Sequence, residues 1–394
     1  MGDFLTGEKQ QMKFYLKLAL ALCLLSLFLS ITGVYAQTSL TSVTSPTTTN
    51  LNSVCVVNNA TSGTPTNDLS MLNAWAVGDG GTILFWSGSS WSTVTSPTTM
   101  NLYSVVFDSP TDGWAVGGSG TTGIILRYNG TWSEWTAVSF SGYANATDTV
   151  NGTLYGVTVS GDGMTGFAVG SNGIALYWDG ASDTWFGFTN VSTNTLRAVG
   201  MAHDSTDAWA VGDSGTIVHW DGTNWTPMTS GSTSNLYTIQ MFNSTAGFAA
   251  GGAGDNGSVL MLSGTTWSPF TSFRFGGGSG ALTSSLNSTV YSMTLANTTS
   301  GWACGSSGFT MYWSGSEWDC NSNPATGNLK GISMVHGNGI QAWAVGDGGT
   351  ILAFNGAAWV PELPILAIPI LMGIGLLAVI FGKNRLFRKQ VALK

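Results

Sequence analysis

The chain has 394 residues and a net charge of -8, yet only 8% of its residues are charged. Between Gln37 and Val360 the only basic residues are Arg127, Arg197, Arg274 and Lys330, and acids greatly outnumber them. Such a surface repels phosphates and anionic headgroups, which excludes nucleic acid as a partner. Ser, Thr, Asn and Gly carry the solubility in place of charge.

Residues 1–36 read as a secretory signal peptide. Lys13 and Lys17 precede the apolar run LALALCLLSLFLSITG, and Val34-Tyr35-Ala36 is a small-residue cleavage site. An uncleaved anchor is the alternative. Cys23 leaves with that segment, so Cys55, Cys304 and Cys320 remain and allow at most one bridge.

Residues 37–360 form a repeat. Trp-Ala-Val-Gly begins at Trp75, Trp114, Trp209 and Trp343, with near copies from Phe167, Phe248 and Trp302. The seven copies are spaced by 39, 53, 42, 39, 54 and 41 residues. A period of this length signals a repeat architecture. Upstream of each core lies a run such as NLYSVVF (from Asn101) or TLRAVGM (from Thr195). Downstream lies a run such as GTILFW (from Gly81), then a small turn and a Trp, as in DGTNW ending at Trp225. Each piece is short, rich in Val, Ile, Tyr, Phe and Trp, and bounded by turn residues, which predicts strands. The repeat is therefore a four-stranded antiparallel meander. Seven of them predict an all-β, seven-bladed β-propeller, with a linear solenoid as the rival.

Residues 39–54 (SLTSVTSPTTTNLNSV) match residues 90–105 (SWSTVTSPTTMNLYSV). The first is thus an outer strand with no blade before it, while the last repeat has no room for its own outer strand. The N-terminal strand is expected to close the ring there. AWAVGDGGTIL, which occupies both Ala74–Leu84 and Ala342–Leu352, then belongs to blades 1 and 7.

Residues 361–382 are expected to span a membrane. Leu363–Phe381 is uncharged, and as a helix it covers roughly 28 Å. Lys383, Arg385, Arg388 and Lys389 mark residues 383–394 as a cytoplasmic tail and place the propeller on the outer face. Sequons at Asn59, Asn129, Asn145, Asn151, Asn190, Asn243, Asn256, Asn287 and Asn297 are glycosylation candidates. Asn224 also starts one, beside a Trp expected to be buried.

The pattern L-x-x-V … G-W-A-V-G-x-x-G-T-I-L … [DSN]-G-x-x-W resembles the photosystem II stability and assembly factors. More broadly it is similar to the BNR or Asp-box repeats of sialidase-type propellers. The resemblance covers the whole of residues 37–360. Asp stands in the Asp-box turn only at Asp179 and Asp221, and the match to WD40 repeats is poor. VPELPILAIPI … GKNRLFRK resembles the C-terminal anchors of archaeal surface proteins, with Leu363 where a sorting signal has Phe. Family likeness leaves function open, because propellers bind, scaffold and catalyse.

A sialidase-like glycosidase, which the resemblance brings to mind, needs three arginines on one carboxylate. Arg127, Arg197 and Arg274 fall at unrelated repeat positions, and Glu134 and Glu317 are the only glutamates of the repeats. Two-carboxylate chemistry therefore lacks its partners. His203, His219 and His336 lack ligand spacing, and neither a metal nor a cofactor is expected. Asp79, Asp213 and Asp347 share one turn position. Those of blades 1 and 7 could approach each other around calcium, but Asp-Gly is also simply a good turn.

A binding surface is the better candidate. The residue after the Leu (or Val290) that opens each first strand is Asn52, Tyr103, Tyr155, Arg197, Tyr237, Tyr291 or Lys330. If these side chains turn toward the channel mouth, they form a ring of tyrosines with two cations, suited to peptides, sugars or a carboxylate. They could instead pack between blades. Two long connections, with Tyr143, Phe273 and Arg274, are expected on the same face. The expected function is a non-catalytic binding or assembly module at the cell surface, its partner a protein or a glycan. A structural envelope component is the alternative.

Overall fold

The computed structural model describes residues 40–58, 72–142, 147–188, 191–202, 207–254, 256–275, 282–322, 327–334 and 341–355. They form seven antiparallel meanders. Blade 1 runs through Leu51–Asn58, Leu72–Gly78, Ile83–Trp86 and Trp91–Val94, and blade 2 through Asn101–Ser109, Asp112–Ser119, Thr122–Tyr128 and Trp132–Glu134. Blade 3 comprises Leu154–Val159, Thr165–Gly170, Ala175–Asp179 and Thr184–Phe188; blade 4, Leu196–Met201, Ala208–Gly212, Ile217–Trp220 and Trp225–Met228. Blade 5 comprises Leu236–Asn243, Ala246–Ala253, Asn256–Ser263 and Thr266–Pro269; blade 6, Val290–Asn297, Ser300–Gly305, Phe309–Trp313 and Trp318–Ser322. Blade 7 has Leu329–Met334, Gln341–Gly346 and Ile351–Asn355, and its fourth strand is Leu40–Ser42 from the other end of the chain.

That pairing closes the ring as expected. Leu40 lies opposite Phe354, Thr41 opposite Ala353 and Ser42 opposite Leu352. Val43 N–H adds a 2.9 Å bond to the Ile351 carbonyl. First strands of neighbouring blades lie against one another all the way round.

The core is divided into seven clusters, each between two blades. Side chains alternate faces along a strand, which gives the repeated words their meaning. In blade 1, Trp75 and Val77 face blade 2, while Ala74 and Ala76 face blade 7. In blade 7, Trp343 and Val345 meet those alanines, and Ala342 and Ala344 face blade 6. Large side chains of one blade thus pack on small ones of the next. Trp343 sits 4.8 Å from Trp86 and 5.2 Å from Trp91 between ring centroids. The two AWAVGDGGTIL segments share this cluster, side by side.

Two blades exceed four strands. Val138–Ser139 runs parallel to the outer strand of blade 3. Phe273–Phe275 runs parallel to the outer strand of blade 6 and pairs in turn with Leu282–Thr283. These are the two long connections, so the described parts that form strands line outer edges rather than the channel mouth. Their apolar residues cover edge strands: Val138 is 3% exposed and Phe273 2%.

Cys55, Cys304 and Cys320 are free thiols. Burial pushes the Cys320 thiol up to about 12, with the neighbouring Asp319 charge adding to it. The expected signal peptide (1–36), membrane span (361–382) and tail (383–394) lie outside the described residues. Among the described residues no helix is long and apolar enough to cross a membrane.

Candidate binding surface at the channel mouth

Every first strand carries a β-bulge at the residue after its opening Leu or Val. The register slips between Leu51 and Ser53, Leu102 and Ser104, Leu154 and Gly156, and Leu196 and Ala198. It slips likewise between Leu236 and Thr238, Val290 and Ser292, and Leu329 and Gly331. The skipped residues are Asn52, Tyr103, Tyr155, Arg197, Tyr237, Tyr291 and Lys330. A bulge takes a residue out of the ladder and re-aims its side chain. The preceding residue is 0% exposed in all seven blades, and the bulged residue is half-buried.

Three repeat positions make room for the bulge. The glycine opposite stands where an added Cβ would lie about 2 Å from the carbonyl before the opening residue, as with Gly212 and Thr195 O at 1.9 Å. The residue after the bulge is always small, because neighbouring first strands touch there. Ser53 Oγ accepts from Val105 N of the next blade at 3.3 Å, and Thr238 Oγ1 from Met293 N at 3.1 Å. A Cβ on Gly156 would lie 2.9 Å from Ala198 Cα. In four blades the residue before the opening Leu is Asn, which latches the preceding blade. Asn101 Oδ1 accepts from Gly80 N at 2.9 Å, Asn235 from Ser214 N at 3.0 Å, Asn328 from Ser307 N at 3.1 Å, and Asn50 from Gly348 N at 3.0 Å across the closure.

Five neighbouring pairs of bulged side chains lie against each other. Tyr103 and Tyr155 lie 5.0 Å apart between ring centroids, and Tyr237 and Tyr291 5.4 Å. Arg197 lies between the pairs, its guanidinium carbon 5.6 Å from Tyr155 and 5.3 Å from Tyr237. Lys330 Nζ reaches Asn52 Oδ1 at 3.5 Å, and Asn52 Nδ2 donates to the Leu102 carbonyl at 3.0 Å.

The charges are organised by blade. Arg197 donates through Nε and Nη2 to Asp213, the second contact at 3.0 Å. Lys330 pairs with Asp347 at 2.9 Å. Asp79 accepts from Asn52 Nδ2 at 2.9 Å and Asn50 Nδ2 at 3.0 Å. Each turn carboxylate thus engages the bulged residue of its own blade. Where that residue is Tyr, the turn begins with Gly118, Ser171, Gly252 or Ser306 instead. This corrects the expected positive charge: both cations are occupied, and two cations face three carboxylates. Asp79 and Asp347 each have donors of their own. The pairing was visible in the sequence as Asp after Val-Gly only in the three repeats lacking the Tyr. The bulge itself left no such sign.

The remaining candidates lie elsewhere. Phe273 is core, and Tyr143 lies outside the described residues. Arg274 donates to Glu317 at 2.8 Å on the outer edge of blade 6. Arg127 stacks on Trp114, Trp135 and Trp178 and pairs with Asp112 at 2.9 Å and Asp183 of blade 3 at 3.0 Å. The three arginines therefore do not converge on one carboxylate. His219 stacks on Trp209 at 4.5 Å, while His203 and His336 lie outside the described residues. Among the described residues no group of three or more His, Cys, Asp or Glu could hold a metal ion. Asn129, Asn151, Asn224, Asn243, Asn256, Asn287 and Asn297 are all exposed. Asn59, Asn145 and Asn190 lie outside the described residues. Trp225 is half-buried, not buried as expected.

No family model matches the sequence, and no curated protein matches it. Solved structures do. The structure of YCF48 bound to D1 peptide is 15% identical with a TM-score of 0.57, over 82% of this chain and 96% of that one. YCF48 from Cyanidioschyzon merolae gives 16% and 0.56, over 80% and 98%. The WD40 repeats of RRP9 give 12% and 0.59, over 81% and 97%. The fold is a seven-bladed β-propeller. At these identities the likeness carries the fold alone.

Proposed function

We propose that this chain is a non-catalytic binding or assembly module that captures a segment of a partner protein at its channel mouth. The observation that carries this reading is the sevenfold bulge. The frame around it hardly varies, while the bulged residue varies from Tyr to Arg, Lys and Asn. A repeat that keeps one position out of the ladder in every blade, and fills it with Tyr in four blades and with Arg, Lys or Asn in the other three, is building a surface. Tyr rings offer flat apolar area with a polar tip at low entropic cost. The structure of YCF48 with D1 peptide is support of the same kind, a propeller of this fold holding a peptide. From the sequence alone comes the further proposal that the module sits on the outer face of a membrane, glycosylated and tethered by residues 361–382.

A peptide display library selected on the full chain tests this reading. Selection should enrich sequences that lose binding to the doubly substituted Arg197→Ala, Tyr237→Ala chain while its melting profile is retained. Enrichment only of sequences that bind both chains equally would overturn it.

A further inference from the structure

The mouth contains the same side-chain cage twice. In blade 4 the cage consists of the turn carboxylate Asp213, the next backbone amide Ser214 N, Asn235 from the following blade, and Tyr237. Ser214 N donates to Asn235 Oδ1 at 3.0 Å, and Asn235 Nδ2 donates to the Tyr237 hydroxyl at 3.4 Å. The chain's own Arg197 fills this cage, bonded to Asp213 and lying over Tyr237. In blade 1 the parts recur one for one as Asp79, Gly80 N, Asn101 and Tyr103. Gly80 N donates to Asn101 Oδ1 at 2.9 Å, and Asn101 Nδ2 to the Tyr103 hydroxyl at 3.3 Å. Here the bulged residue is Asn52, shorter than arginine and neutral. Asp79 is half-buried, and among the described residues its side chain accepts from the amides of Asn50 and Asn52.

Among the described residues no cation is paired with Asp79. Arg127 pairs with Asp112 and Asp183, Arg197 with Asp213, Arg274 with Glu317, and Lys330 with Asp347. These are all four basic residues between Gln37 and Val360, where there are seventeen acidic ones. Lys330 reaches the neighbouring Asn52 at 3.5 Å. A carboxylate beside a tyrosine face is the pairing that stabilises a guanidinium or ammonium group. The surplus of acid draws a basic segment toward the surface.

We propose that the Asp79–Tyr103 corner is a seat for one basic side chain of the partner, filled from outside as Arg197 fills its counterpart from within. The proposal rests on the mouth being the binding surface and adds the charge class of the segment it takes. Asn52 and Asn50 position the carboxylate, and Asn101 holds the tyrosine.

The test uses the full chain and two labelled twelve-residue peptides, four repeats of Gly-Ser-Arg and the same peptide with neutral citrulline for arginine, read by fluorescence anisotropy. The arginine peptide should bind about tenfold or more tightly than its citrulline isostere. Asp79→Asn should remove that preference. Asn52→Arg, which fills the cage as blade 4 does, should remove it too and guards against a folding defect in the first variant. Asp162→Asn, the same charge change on an exposed hairpin between the first two strands of blade 3, should leave it intact. Equal affinity for the two peptides, or a preference that survives both Asp79→Asn and Asn52→Arg, would overturn the seat. If the peptide instead responds only to Arg197→Ala and Tyr237→Ala, the mouth stands as the binding surface and the seat falls.

Discussion

Gly212 has φ of -166°, extended backbone open to any residue, so space rather than torsion demands glycine there. A Cβ would lie 1.9 Å from Thr195 O and 2.9 Å from Leu196 Cα, and only a shift of the bulge could relieve it. Gly212→Ala should therefore cost about 3 kcal/mol in a denaturant melt. Gly161→Ala, where a Cβ meets nothing within 4 Å, should be close to neutral. Equal melts for the two would mean that the bulge is not held by this contact. The Trp-Ala-Val-Gly word was legible as a core strand because it repeats. Its large-small alternation became meaningful only when neighbouring blades were placed face to face. The glycine's reason was hidden, since it answers a bulge in another strand.

At the scale of elements, the matched segments 39–54 and 90–105 foretold the closing strand, and the pairing of Leu40–Ser42 with Ile351–Asn355 meets that expectation. Deleting residues 40–43 leaves Ile351–Asn355 as an unpaired edge. The ring should lose about 3 kcal/mol of stability and aggregate more readily on heating. An unchanged melting curve and light scattering would contradict closure by this strand. The long connections were misjudged for a physical reason. Phe273 is expected on the mouth face because sequence shows no partner for it. In the structure Phe270 packs 5.6 Å from Trp313, and Phe273 lies in the core between blades 5 and 6. An outer strand with an open edge accepts whatever chain passes it, and repeat period carries no information about that.

Over the whole molecule, frame and surface are separated by repeat position. Opening residues, glycines and small residues recur in every blade, while the bulged residue at the mouth is Tyr in four blades and Arg, Lys or Asn in three. Four tyrosines, Arg197 and Lys330 were legible as a ring because they share one repeat position. Their electrostatics showed only as an Asp after Val-Gly in the three repeats lacking the Tyr, since that aspartate lies in a separate turn of the blade. The proposed function has a partner dock on this end of the ring. Hydrogen–deuterium exchange of the full chain, with and without a display-selected peptide, tests it most directly. Protection is predicted at residues 50–53, 101–104, 195–198 and 235–238 and at the turns 79–81 and 213–215. Protection confined to the opposite hairpins, at 109–112, 243–246 and 297–300, with the mouth unchanged, would contradict it.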